Sequence, residues 1–301
     1  MRTWAPPAAL LATAGAGFVA LLWLWLAGGG EVDVPWAPTL DLRLHLRLDG
    51  LAAMYALMAT GVAVPVFLFA WRYLPHHLAE QGRSLREQPR FYALLGLFMV
   101  SMVGLALAQD LILLFLFWDL TAVASYLLIA YDRQDPEARR AALMALLVTA
   151  ITAVALLIGT LLLYDRYGTF SLPELFRVAE PSTTVTVAGA LIAVAALAKS
   201  AQVPFHFWLG RAMAAPTPVS AYLHSAAMVA AGVLLIGRVY PLLELSGLLL
   251  DALVAVGFLS MLVGGVLALS RDDLKQVLAY STFSQYGYVV FLYGLGGESG
   301  V

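Results

Sequence analysis

The stretch "AALAKSAQVPFHFWLGRAMAAPTPVSAYLHSAAM", residues 195–228, sets Lys199, His206 and His224 in sequence otherwise apolar enough to cross a membrane. It is punctuated by Pro204, Pro216 and Pro218. A proline lacks an N–H and its ring disturbs the turn before it, so Pro204 predicts a helix broken beside Lys199, with a carbonyl freed near Lys199 or Ser200. Irregular backbone at membrane depth persists only where protein or water covers it. The stretch therefore predicts a lysine at a helix break that faces a hydrated cavity, with all three prolines as hinge or break positions.

The rest of the chain agrees with a membrane setting. Of 301 residues 62% are hydrophobic and 12% charged, against about 25% charged in an ordinary soluble domain. Apolar runs long enough to cross a hydrocarbon core of about 30 Å recur throughout. They do not alternate as barrel strands would, so the fold class is all-α and polytopic. With no cysteine, disulfides and thiolate-bound metals are excluded. A net charge of −2 predicts no nucleic-acid partner. His206 and His224 lack a third ligand at metal-site spacing, and no nucleophilic triad or redox-centre motif occurs, so neither metal nor cofactor is expected.

Nine spans are predicted, at about 6–27, 50–73, 90–108, 111–131, 141–164, 184–205, 217–240, 247–270 and 274–295. The first has no small-residue cleavage site before the Gly28-Gly29-Gly30 turn and is read as a span rather than a signal peptide. The alternating segment 30–49 predicts a short extracytoplasmic hairpin. With a cytoplasmic N-terminus, the inner segments hold eleven cations (Arg2, Arg72, Arg83, Arg86, Arg90, Arg133, Arg139, Arg140, Arg211, Arg271, Lys275) and the outer ones five (Arg43, Arg47, Arg166, Arg177, Arg238). That bias predicts a cytoplasmic N-terminus in the cell's inner membrane.

Charges inside spans carry the functional reading. Asp119 lies near the middle of its span, where an unpaired carboxylate costs about 2.5–3.5 kcal/mol on insertion scales. It reads either as a neutral, hydrogen-bonded acid or as a proton-relay carboxylate, and Lys199 is its natural partner. His224, on one helical stripe with Ser220 and Met228, has the titration range a relay needs, as does His206 beside the Pro204 break. A structural histidine bound to a backbone carbonyl is the alternative for each. His76 and His77 sit in the polar loop 74–90 and are expected to be solvated. Asp272, Asp273 and Lys275 open a helix, where acids serve as caps. A faint echo links 109–131 with 272–293, as transporter repeats do.

The segments "FWDLTAVASYLLIAY" (117–131), "LAKSAQVPFHFWLGRAMAAPTPVSAYLHSAAMVAAGVLLIGR" (197–238) and "DLKQVLAYSTFSQYGY" (273–288) resemble the antiporter-like subunits of respiratory complex I and of multisubunit Na⁺/H⁺ antiporters. "PFHFWL" is most similar to the large A subunit of the latter. Membrane hydrogenases and an inorganic-carbon uptake system share this core. The resemblance covers residues 45 to 295. It implies two inverted five-helix repeats, each with a lysine-bearing broken helix: an N-terminal part at 1–89, a first repeat at 90–240, and the start of a second at 241–301. It places Asp119 at the family's acidic position, Lys199 at the broken-helix lysine and His224 at the relay position.

Two residues depart from the family pattern: Asp119 replaces the usual Glu, and Ala230 stands where A subunits often carry Lys. The second repeat is incomplete, which implies a fragment, a split subunit or a shortened homologue. The function expected is proton or cation translocation, with H⁺ or Na⁺ as cargo, in a lipid bilayer and among other membrane subunits. The alternatives are the pumping arm of an NADH-quinone oxidoreductase, membrane hydrogenase or carbon-uptake complex, and a non-conducting membrane scaffold. In none of these does the chain hold a catalytic centre of its own.

Overall fold

The computed structural model describes residues 5–37, 42–225 and 227–296. Arg2, counted above among the inner cations, and the tip of the predicted hairpin at 38–41 lie outside the described residues.

Several helices begin where the sequence supplies a carboxylate cap. α1 (Ala5–Leu26) leads into a hairpin of β1 (Glu31–Ala37) and β2 (Leu42–Arg47). The hairpin pairs antiparallel, Glu31 opposite Arg47 and Asp33 opposite His45. Among the described residues an ion pair of Arg43 with Asp33 at 2.8 Å and a 2.6 Å contact between His45 Nε2 and Glu31 fasten it. Asp49 then accepts from the N–H of Ala52 and starts α2 (Gly50–Glu80), because a carboxylate there satisfies one of the four N–H groups a helix start leaves open. α3 (Gln88–Leu107) follows a single 3₁₀ turn, and Asp110, accepting from Ile112 and Leu113, starts α4 (Leu111–Ile129). Asp135, followed by Pro136 at the first helical position, starts α5 (Pro136–Tyr167), which Gly168 ends in the left-handed conformation at φ 72°. A short α6 (Leu172–Val178) precedes the region of the breaks.

There α7 (Thr183–Lys199) stops and α8 (Phe207–Ala212) resumes after seven residues. The next span is also divided, into α9 (Thr217–Ser225) and α10 (Met228–Arg238). The sequence predicts one continuous helix over 217–240, and the structure corrects this: Ala227 is non-helical at φ −132°, ψ −91°. A single turn, α11 (Tyr240–Leu243), leads to α12 (Gly247–Leu269) and α13 (Leu274–Leu295), the latter capped by Asp273 as expected.

Seven helical segments among the described residues are long and apolar enough to cross a membrane; the divided α7 with α8, and α13, complete the nine predicted spans. α5 shows the lipid-facing pattern, exposing Leu143, Leu147, Ile151, Val154, Ile158 and Leu161 at steps of three or four residues. Between helices, small residues allow close approach, since bilayer tails give apolar helices no reason to associate beyond packing. A Cβ on Gly287 of α13 would lie 2.7 Å from the backbone nitrogen of Met261 on α12. The fold is a polytopic α-helical membrane bundle.

The two ends of the bundle differ. At one, the hairpin is stitched to the α3–α4 junction by Gln109, whose N–H donates to the carbonyl of His45 at 2.9 Å. Arg238, at the end of α10, is bound there by Asp49 and donates to the carbonyl of Ala106 at 2.6 Å. At the other end Arg83 joins Asp132 at 2.7 Å and Glu87. His77, expected to be solvated, instead meets Asp132 at 2.8 Å and stacks on Tyr73. The reason is that α2 runs seven residues past its predicted end, carrying His77 against the α4–α5 loop.

Candidate functional site

Lys199 is the last residue of α7, and the backbone beyond it forms a Schellman ending: the N–H of Gln202 donates to Leu197 O at 2.8 Å and that of Ala201 to Ala198 O at 3.1 Å. This motif needs a left-handed residue, and Ala201 supplies it at φ 53° where glycine is usual. Val203–Pro204 follows as a cis peptide.

Three of the polar groups released by the break are taken up by side chains. Trp208 Nε1 donates to Ala198 O at 3.0 Å, Gln202 Nε2 to Ser200 O at 2.8 Å, and the N–H of Val203 to Ser260 Oγ on α12 at 3.0 Å. The predicted free carbonyl therefore exists at Ser200, and a side chain occupies it.

The lysine itself is fully buried. Its Nζ lies 2.6 Å from the carbonyl oxygen of Trp118 and 2.6 Å from Thr121 Oγ1, both on α4. It also stands 4.0 Å from the centre of the Trp118 ring. Thr121 Oγ1 accepts from the amine and donates to the same Trp118 carbonyl at 2.7 Å. Two oxygens and a ring face suit the three donors of an ammonium group.

The expected hydrated cavity at Lys199 is not what the structure shows. The small residues Ala195, Ala196 and Ala198 on α7 and Gly232 on α10 let the helices close over it, and a Cβ on Gly232 would collide with Ala196 O and Ser200 Oγ. Ser200 Oγ also donates to Val229 O at 2.7 Å, tying the break after α7 to the start of α10.

Asp119, next along α4 from Trp118, is half-buried on the partly exposed stripe with Phe115, Leu116 and Val123. Among the described residues it makes no hydrogen bond and no ion pair. It is near enough to Lys199 for their charges to interact without contact. The expected direct pair is thus open in this conformation, and the amine is docked on the backbone beside its acid.

His224 ends α9 in a different setting. It is 7% exposed, and neither ring nitrogen has a hydrogen-bond partner. It lines a cavity of about 370 Å³ shared by α2, α9 and α13, with Val62, Ser220, Lys275 and Thr282 in the wall. Met228, predicted on the same stripe, lies across the α9–α10 break and is buried. His206 sits just before α8, its ring parallel to that of Phe283 at 5.3 Å, its Nδ1 buried without a partner.

Pro204 lies in the break, whereas Pro216 and Pro218 stand at the start of α9 and interrupt no helix. A proline there gives up only an N–H that would lack an intrahelical partner anyway, and Pro216 O accepts from Val219 and Ser220. Sequence reasoning missed Trp118 and Thr121, the acceptors for Lys199. A threonine one turn after a tryptophan in an apolar span was the available signal.

Residues 108–301 match the family described as NADH:quinone oxidoreductase/Mrp antiporter, TM, and residues 35–92 match NADH-ubiquinone oxidoreductase (complex I), chain 5 N-terminus. "Putative antiporter subunit mnhA2" of Staphylococcus aureus (strain MRSA252) is 43% identical over 270 residues, covering 89% of this chain and 33% of that protein. The same protein in strain USA300 / TCH1516 is equally similar. The chain thus spans about a third of the length of the curated relatives it matches.

Among solved structures, the Mrp complex from Dietzia sp. DQ12-45-1b superposes with TM-score 0.83 at 37% identity, over 98% of this chain and 31% of that one. The membrane-bound sulfane sulfur reductase, an archaeal respiratory membrane complex, shares the fold with TM-score 0.82 at 23% identity, over 95% of this chain and 58% of that one. By the family match over residues 108–301, the chain belongs to the NADH:quinone oxidoreductase/Mrp antiporter transmembrane family.

Proposed function

We propose that the chain is a proton- or cation-translocating part of a multisubunit Mrp-type Na⁺/H⁺ antiporter, with its arginine-rich end and N-terminus on the cytoplasmic side of the inner membrane. The observation that carries this reading is the placement of Lys199: a buried amine at a helix break, held by Trp118 O and Thr121 Oγ1, one residue along α4 from an unpaired Asp119. Residues 90–240 are read as one complete repeat and 241–301 as the start of a second.

In this mechanism the amine has two resting places. When Asp119 is neutral, Lys199 stays on the Trp118–Thr121 acceptors. When Asp119 gives up its proton, the new carboxylate draws the amine across, because opposite charges attract strongly where little water screens them. Lys199 ends α7, so the amine can shift without unwinding a helical turn beyond it. His224, with both nitrogens free and a cavity beside it, passes protons between Lys199 and the lining hydroxyls. His206 is a second relay candidate at the other edge of the break.

The test is Lys199→Ala in everted vesicles that hold the complete complex, with exchange read as a fluorescent pH-gradient signal. Loss of exchange with the complex intact supports the reading, and undiminished exchange overturns it.

The match of residues 35–92 to a complex I chain favours a second reading, a pumping arm of an oxidoreductase. Co-purified partners separate the two: iron–sulfur subunits point to the oxidoreductase, small hydrophobic antiporter subunits to the exchanger.

A further inference from the structure

A groove of about 450 Å³ opens on the side of α2 at the arginine-rich end, walled by Leu68, Trp71, Arg72 and His76 of α2 and by Leu85 and Gln88 at the entry to α3. It belongs neither to the Lys199 site nor to the His224 cavity, and its level in the bilayer follows from helix length. α2 starts at Gly50, and a hydrocarbon core of about 30 Å takes about 20 residues at roughly 1.5 Å each, so the crossing ends near position 70. Leu68, 54% exposed, therefore faces acyl chains, while Arg72 and His76 stand at headgroup depth. Trp71 occupies the boundary, where indoles concentrate in membrane proteins.

The ionisable groups of the lining are Arg72 and His76. Arg72 and His76 make no hydrogen bond or ion pair with any described residue, unlike nearby Arg83, which Glu87 and Asp132 hold. Gln88 is only 4% exposed, lines the groove, and its side-chain amide has no hydrogen-bond partner among the described residues. An amide left open to the groove can donate to a ligand oxygen. Among the described residues no acid lines the groove; Glu80, one turn past His76 on the same helix, lies outside it.

We infer that this groove binds an anionic glycerophospholipid. Its phosphate lies against the Arg72 guanidinium and the His76 ring, the Gln88 amide donates to a headgroup oxygen, and an acyl chain runs along Leu68. The guanidinium presents paired donors that match phosphate oxygens, and the neighbouring apolar wall selects a lipid over a soluble anion.

The test uses the full chain, purified in detergent and titrated with phosphatidylglycerol, with phosphatidylcholine and with inorganic phosphate, bound adducts being counted by native mass spectrometry. Phosphatidylglycerol is expected to bind preferentially. Arg72→Gln is expected to weaken it by about tenfold, the scale of one charge-assisted hydrogen bond. Gln88→Glu, which sets a carboxylate against the phosphate, is expected to act in the same direction. Arg140→Gln, a charge removed elsewhere on the same end, is expected to leave binding unchanged, and thermal melting of each variant checks that it folds. The inference fails if phosphatidylcholine binds as tightly, if Arg72→Gln and Gln88→Glu both bind like the parent, if Arg140→Gln weakens binding as much, or if inorganic phosphate displaces the lipid.

Discussion

The amine of Lys199 donates to the backbone carbonyl of Trp118 and lies over the ring of that same residue, 81 positions away in sequence. A single residue thus supplies both a hydrogen-bond acceptor and a π face to a charge that would otherwise be stranded. Asp119, the obvious counter-ion, sits one step further along the helix and makes no hydrogen bond or ion pair with any described residue.

Thr121 is expected to set how firmly the lysine is held. Thr121→Val removes one of two oxygen acceptors and costs about 1–2 kcal/mol of thermal stability, while shifting the pH profile of exchange because the two resting places of the amine are no longer balanced. Thr121→Ser keeps the oxygen and should restore the parental profile. A profile that Val and Ser leave equally unchanged counts against the docked position.

Asp119→Asn is expected to abolish exchange, since an amide of the same shape cannot cycle a proton. Asp119→Glu, reaching one methylene further, should retain it. Exchange assays in vesicles with matched complex assembly read both, and activity in the Asn variant would remove Asp119 from the relay.

The close approach of α10 to the α7 break makes Gly232 sensitive. Gly232→Ala forces a methyl group into Ala196 O and Ser200 Oγ, and is expected to lower stability by about 1–3 kcal/mol, the usual cost of overpacking. Ala201→Gly should do the reverse, because Ala201 holds a left-handed φ that costs a non-glycine residue about 1 kcal/mol. Thermal unfolding in detergent compares the two; a stabilised Gly232→Ala would contradict the packing described.

At the hairpin end, burial pushes the Asp49 carboxyl upward, but the Arg238 guanidinium and the N–H groups of Ala52 and Gln109 outweigh it and hold it below the usual carboxylate range. A carboxyl lowered in the folded state contributes stability that is present above its unfolded value, about 3.9, and lost as pH falls through the folded one. Melting temperature should therefore drop below about pH 4. Asp49→Asn should show a smaller acid-induced drop and lower stability at neutral pH, because it leaves Arg238 buried without its counter-charge. An unchanged acid transition in Asp49→Asn would show that the pair contributes nothing.

The spans were legible because runs of apolar residues report burial in lipid directly, and the Lys199 break was legible because Pro204 announces it. The break at Ala227 carried no such mark. "SAAMVAAG" contains good helix formers up to its glycine, and the α10 start is tied instead to α7 through Ser200 and Val229, a contact 29 positions apart that no local pattern encodes. The partner of His77 was hidden for the same reason, Asp132 lying 55 residues away. At the site, intramembrane charge marked Asp119 and Lys199 as functional candidates. It did not show which groups hold the lysine, because a backbone carbonyl leaves no trace in a sequence.

The most direct test of the Lys199 mechanism is pH-gradient-driven cation exchange by Lys199→Ala, measured in vesicles where the variant complex assembles to the parental level. Exchange falling to the level of empty vesicles is the predicted result; exchange at the parental rate would contradict the account.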